Sequence, residues 1–174
     1  ERGLRKVWAS LYSDRAWDER DWFQVPQDAA SMAVLVTQGF PDEDANGVVF
    51  TGDPGDPAET RWLVNVQVGD EPVVGNDPSK VPEKDWISVK DGVVLGVQRA
   101  RSSSLAAPGV PVLTDAQLVE LGTVLAGIDA VYPLDLGDHA RDEVLLDVEF
   151  KVAKGTKQLK LKQIRPFLKA ATTL

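Results

Sequence analysis

Cysteine is absent from the 174 residues. Disulfides, thiolate zinc sites and cysteine nucleophiles are therefore excluded. There is one histidine, His139, so a serine triad or a histidine metal cluster has little to work with. No apolar run approaches the ~20 residues that span a bilayer. The dinucleotide fingerprint Gly-x-Gly-x-x-Gly, the Walker loop Gly-x-x-x-x-Gly-Lys-Ser/Thr and the Gly-x-Ser-x-Gly elbow do not occur. Basic residues are the minority: 19 Lys and Arg against 27 Asp and Glu, a formal net charge of −8. That balance argues against a general nucleic-acid or anionic-membrane surface. It leaves a nucleotide open, because a nucleotide needs only a few local cations and usually a metal. The cysteine-free composition fits a cytoplasmic protein.

The composition present is that of a globular domain, 43% hydrophobic and 26% charged. The opening "ERGLRKVWASLY" has neither the apolar core nor the small-residue cleavage site of a signal peptide. It reads as a helix already under way, as in a piece of a longer protein. Helical spacing runs over residues 3–22, with Leu4, Val7, Trp8, Leu11 and Tyr12 in one stripe. "MAVLVT" (32–37) reads as a short buried strand, "PDEDANG" (41–47) as a loop, and "VVFTG" (48–52) as a strand. "RWLVNVQVG" (61–69) alternates with period two, and residues 70–85 read mostly as loop. "KDG" (90–92) between β-rich runs marks a hairpin over 86–100. Thr114 and Gln117 have capping-box spacing ahead of a helix carrying Leu118, Leu121, Val124, Leu125 and Ile128. The order of elements predicts one α+β domain over 1–174, with a mainly antiparallel sheet and flanking helices.

The segment "LLDVEFKVAKGTKQLKLKQIRPF" (145–167) alternates, turns near Gly155–Thr156 and alternates again. Such a turn sets Glu149 opposite Gln163 and Asp147 opposite Arg165. Opposed Cβ atoms lie ~5 Å apart, so four polar head groups converge on one face. Leu146, Val148, Phe150 and Ile164 take the other face. Two readings follow from periodicity. One is a cross-strand Asp–Arg ion pair on a solvated face. The other is a Mg²⁺–phosphate site, with two carboxylates and an amide oxygen as hard donors and Arg165 for phosphate. The five lysines of "KVAKGTKQLKLK" (151–162) read as a solubilising hairpin tip, His139 as a locally satisfied loop residue, and the Asp–Pro pairs of "TGDPGDP" (51–57) as turns. The five tryptophans read mostly as packing residues.

"LDVEF…LKQIRPF" resembles the Asp-x-Glu-(Phe/Trp)…Gln-x-Arg-Pro ending of the ATP-grasp domain of phosphoenolpyruvate synthase and pyruvate phosphate dikinase. Three upstream stretches agree in order. "VWASLYSDRA" (7–16) resembles the family's Val-Trp-Ala-Ser-Leu-x-x-x-Arg-Ala. "MAVLV…NGVVFTGDP" (32–54) resembles Met-Ala-Val-x-Val…Ser-Gly-Val-x-Phe-Thr-x-(Asp/Asn)-Pro. "VGDEPVVGN" (68–76) resembles a shortened Gly-Leu-Gly-Glu-x-Val-Val-x-Gly. The resemblance implies an ATP-grasp-like subdomain, the C-terminal part of the nucleotide-binding domain, with ATP and Mg²⁺ as cofactors. It implies that Asp147, Glu149 and Gln163 serve the metal and phosphates, that Arg165 contacts phosphate, and that Glu71 lies near the ribose or adenine. The family phosphorylates a histidine on a separate swivelling domain. That domain, the lysine-bearing N-terminal lobe and the Val-Arg-Ser-Ser segment have no counterpart in these residues. The expectation is an ATP-dependent phosphotransferase whose isolated part is inactive. The rival is a catalytically silent ATP-grasp-like interaction or regulatory module. Thr37 stands where the family has Gln, at the edge that meets adenine.

Overall fold

A computed structural model describes residues 2–36, 39, 42–56, 58–73, 77–134, 136 and 138–169. The chain divides into two compact units, Glu1–Gly39 and Phe40–Leu174. In the first, the predicted single helix is two: α1 (Arg2–Ser10) and α2 (Asp14–Trp22). The hydroxyls of Ser10 and Ser13 bond to the carbonyls of Val7 and Ser10, and Ser13 caps α2 by accepting from the Ala16 amide. Serine hydroxyls compete with the helical ladder in this way, which favours a cap over an uninterrupted helix. The run Met32–Val36 forms no strand. Leu35 and Val36 are exposed. An apolar run becomes a strand only where a ladder partner meets it; Thr37 lies outside the described residues. Trp8, Trp17 and Trp22 are also exposed, against expectation, whereas Trp62 and Trp86 of the second unit are buried.

The second unit is a six-stranded antiparallel sheet with one long helix. Its elements are β1 (Glu43–Phe50), β2 (Trp62–Val68), β3 (Glu83–Lys90), β4 (Val93–Arg101), α3 (Asp115–Asp129), a 3₁₀ turn (Arg141–Glu143), β5 (Val144–Ala153) and β6 (Leu159–Leu168). The strand order is β4-β3-β2-β1-β5-β6. The α+β class and the antiparallel sheet are as predicted. Lys90-Asp91-Gly92-Val93 makes the expected tight turn, with positive φ at Asp91 and Gly92. The capping box of α3 forms as its spacing requires.

Two strands start earlier than expected, and both do so by pairing charges. β1 takes in Glu43 and Asp44 because Lys151 and Lys157 of the hairpin meet them at 3.3 and 3.0 Å. Lys151 is thereby buried and is no part of a solvated tip. β3 takes in Glu83 and Asp85, which are buried beside Arg99 of β4 at 3.1 Å each. Glu83 also accepts the amides of Val112 and Leu113, which lead into α3.

The core lies on one face of the sheet, under α3. Val49, Val64, Ile87, Leu146, Val148 and Phe150 pack there against Leu118, Leu121 and Leu125. Gly122 lets the helix approach closely: a Cβ there would fall 2.8 Å from Val94 and 2.9 Å from Ile87.

Candidate functional site

Strands β5 and β6 pair in the register that centres the turn on Gly155–Thr156: Asp147 opposes Arg165, and Glu149 opposes Gln163. The turn closes by bonds between Ala153 and residues 157 and 158. Beyond Glu149 the pairing slips, Phe150 facing Leu161, so Lys162 is an extra residue in β6. The bulge lies next to the Glu149–Gln163 pair, where bulges commonly re-aim side chains. Val148 pairs through Val49 and Val64 into the α3-covered face. Strand alternation therefore turns Asp147, Glu149, Gln163 and Arg165 to the opposite face.

The four residues differ in environment. Asp147 is 3% exposed, Glu149 is half-buried, and Gln163 and Arg165 are exposed. Phe50 is the β1 partner of Asp147, and its ring meets Phe167 edge-on at 5.4 Å. Arg165 donates from Nε to Asp147 Oδ2 at 2.7 Å, a single bond and not a fork. Its terminal nitrogens bond to no described residue. The hydrogen bond to Asp147, its charge, and the charge of Glu149 together push the guanidinium above its already high pKa. Asp147 Oδ1 is buried with no hydrogen-bond partner among the described residues. A buried carboxylate oxygen without a partner is costly, which marks a place where a cation or donor would be favourable.

Glu71 lies in the loop after β2. Asn46 of β1 donates from one amide nitrogen to the carbonyls of Gly69 and Glu71, both at 2.8 Å. Lys80 Nζ meets Glu71 Oε2 at 2.6 Å, and this bond raises the lysine pKa. Asn46 pairs with Lys151, and Val48 with Glu149. By alternation the clamped loop therefore meets the same sheet face as the hairpin residues, one residue pair or about 7 Å along the strand. Sequence reasoning missed Asn46, Lys80 and the Glu83–Asp85–Arg99 cluster. An asparagine in a stretch that reads as a loop and a lysine nine residues from its partner carry no periodic signal.

Among the described residues no group of three or more His, Asp or Glu could hold a metal. The patch offers two carboxylates and one amide oxygen. Mg²⁺ commonly takes one or two protein carboxylates and completes its shell with water and substrate phosphate, so the donor set fits a metal shared with a ligand. His139 is elsewhere engaged, its Nδ1 3.4 Å from Glu143. Asp53 and Asp56 cap their own turns by accepting from Gly55 and Ala58.

The model of one protein family, described as pyruvate phosphate dikinase, AMP/ATP-binding domain, matches residues 2–173. The chain belongs to that family. The match takes in α1 and α2 as well as the hairpin, and the six-stranded sheet is consistent with an ATP-grasp-like domain. The family's description names AMP and ATP binding. No curated protein matches the chain. Among the described residues no helix is long and apolar enough to cross a membrane.

Proposed function

We propose that this chain is the ATP- and Mg²⁺-binding part of a cytoplasmic phosphotransferase resembling phosphoenolpyruvate synthase and pyruvate phosphate dikinase. Its phosphoryl acceptor is a histidine on a separate domain, and a further lysine-bearing lobe completes the cleft. The observation that carries the reading is the hairpin: an Asp-x-Glu strand in register with a Gln-x-Arg strand, with Asp147 Oδ1 buried and unpartnered. Glu149 and Gln163 would hold Mg²⁺ through their side-chain oxygens, and the ion would supply charge neutralisation for the phosphates. Asp147 supports them and holds Arg165 by Nε, which leaves the two terminal nitrogens of Arg165 for phosphate. Phosphoryl transfer depends mostly on positioning and charge neutralisation, so these groups are the ones the reaction needs. Glu71 serves the ribose or adenine side.

A titration of the chain with ATP and Mg²⁺, followed by amide and side-chain chemical shifts, tests this. Shifts concentrated at Glu149, Gln163 and Arg165 are expected at millimolar ligand or below, with Glu149→Gln weakening them. An unchanged hairpin spectrum removes the reading.

One observation favours a second reading, a silent interaction module. Asp147 and Glu71 already hold cations of the chain itself, Arg165 and Lys80. The same titration separates the two, because a silent module shows no ligand-dependent shifts at Glu149, Gln163 or Arg165.

A further inference from the structure

Asn46 stands where the family pattern quoted above has a serine before Gly-Val. Its side chain does what serine cannot. An amide NH₂ has two donor hydrogens, and both carbonyls it faces, Gly69 and Glu71, lie 2.8 Å from Nδ2. A serine hydroxyl has one donor. Two carbonyl acceptors also fix which end of the amide is nitrogen. The loop these bonds hold contains no strand, so its carbonyls would otherwise go to water. The backbone of Gly69 joins the clamp through its amide, which donates to the Asp44 carbonyl at 2.9 Å.

The consequence reaches Glu71. Its backbone is tied to β1 by Asn46, and its Oε2 to Lys80 at 2.6 Å. Oε1 bonds to no described residue, so one acceptor is left at a set place. Asn46 itself points to the sheet face that carries Glu149, since Val48, two residues on, is the partner of Glu149.

We propose that Asn46 is a positioning residue of the nucleotide site, seating the Gly69–Glu71 loop on the hairpin's polar face and presetting Glu71 for the nucleoside end of the ligand. The inference rests on the nucleotide reading above. It assigns Asn46 to discrimination between a nucleotide and a bare polyphosphate, and Glu149 with Arg165 to the phosphates that both ligands share.

The test compares Mg–ATP with Mg–tripolyphosphate as probes, on the wild-type chain and on Asn46→Ser, Asn46→Asp and Glu149→Gln. Wild type should prefer ATP. Asn46→Asp sets a carboxylate against two carbonyls and should weaken ATP about tenfold or more, the scale of losing one or two hydrogen bonds. In Asn46→Ser, which adds no charge, tripolyphosphate affinity should change less than about twofold, because no phosphate contact is touched. Asn46→Ser keeps one donor and should lose part of the ATP preference; it also serves if the aspartate variant does not fold. Loss of both ligands in Glu149→Gln is expected. An ATP preference unchanged in Asn46→Ser and in a folded Asn46→Asp overturns the inference while leaving the phosphate reading intact. Equal loss of both ligands in the uncharged Asn46→Ser also overturns it, since that marks a merely structural role. Failure of the wild type to bind tripolyphosphate with Mg²⁺ removes the phosphate reading and this inference together.

Discussion

Asp147 and Asp85 are both buried carboxylates with one oxygen unpartnered among the described residues, yet different neighbours face them. Asp147 meets a single cation whose far end is exposed. Replacing it with Asn keeps the shape and removes the charge, and Arg165 stays hydrated. Asp147→Asn leaves a buried amide in place of the buried carboxylate and should shift stability by no more than about 3 kcal/mol while weakening Mg–ATP binding. Denaturant midpoints and ligand titrations would read the two effects separately. Asp85 instead shares Arg99 with Glu83 and Asp115, three carboxylates on one guanidinium at the start of α3. Lys84, its neighbour in β3, turns to the other face and stacks on Trp86. Burial, then the charge of Glu83, pushes the Asp85 carboxyl up to about 7, against the opposing pull of Arg99. A raised carboxyl pKa means that the folded state holds the proton longer than the unfolded one. Its contribution is thus full below the unfolded pKa and is lost as pH rises through about 7. Asp85→Asn should flatten that slope, and its thermal midpoint should exceed the wild type's most clearly above neutral pH. A wild-type midpoint that climbs from pH 5 to 8 and an unchanged slope in the variant would contradict this.

Close packing decides more than propensity does at the scale of elements. Gly47 sits in β1, where glycine is ordinarily a liability. A Cβ there would fall 2.4 Å from the Phe150 ring and 2.7 Å from the Asn65 carbonyl. The ring of Phe150 therefore lies directly on the β1 backbone, and Gly47→Ala should cost roughly 1–3 kcal/mol. A lower urea midpoint at unchanged slope is the expected readout. The capping box of α3 gives a smaller test: Thr114→Ala removes the acceptor for the Gln117 amide and should cost about 1 kcal/mol. In the hairpin the alternating pattern and the Gly155 turn were enough to read the register. The bulge at Lys162 was not legible, because period-two patterning carries no mark of an added residue. The break between α1 and α2 was legible in principle from Ser13-Asp14, a cap followed by an acid, but the apolar stripe runs through it.

At the scale of the molecule, an overall charge of −8 conceals local cation–anion pairs that hold the sheet together. Glu43–Lys151, Asp44–Lys157 and the Arg99 cluster turn stretches that read as loops into strand. Alternation, turn residues and capping are short-range properties, so the strands β2–β6, the helix α3 and the convergence of Asp147, Glu149, Gln163 and Arg165 could be read from the residues themselves. Strand pairing and burial depend on residues far apart in the chain. That is why Lys151 is inside, and why one asparagine in β1 and one lysine at position 80 come to hold Glu71. Local pattern determined which side chains share the polar face of the hairpin. Only long-range contacts decided how deep each one lies and which partner it keeps.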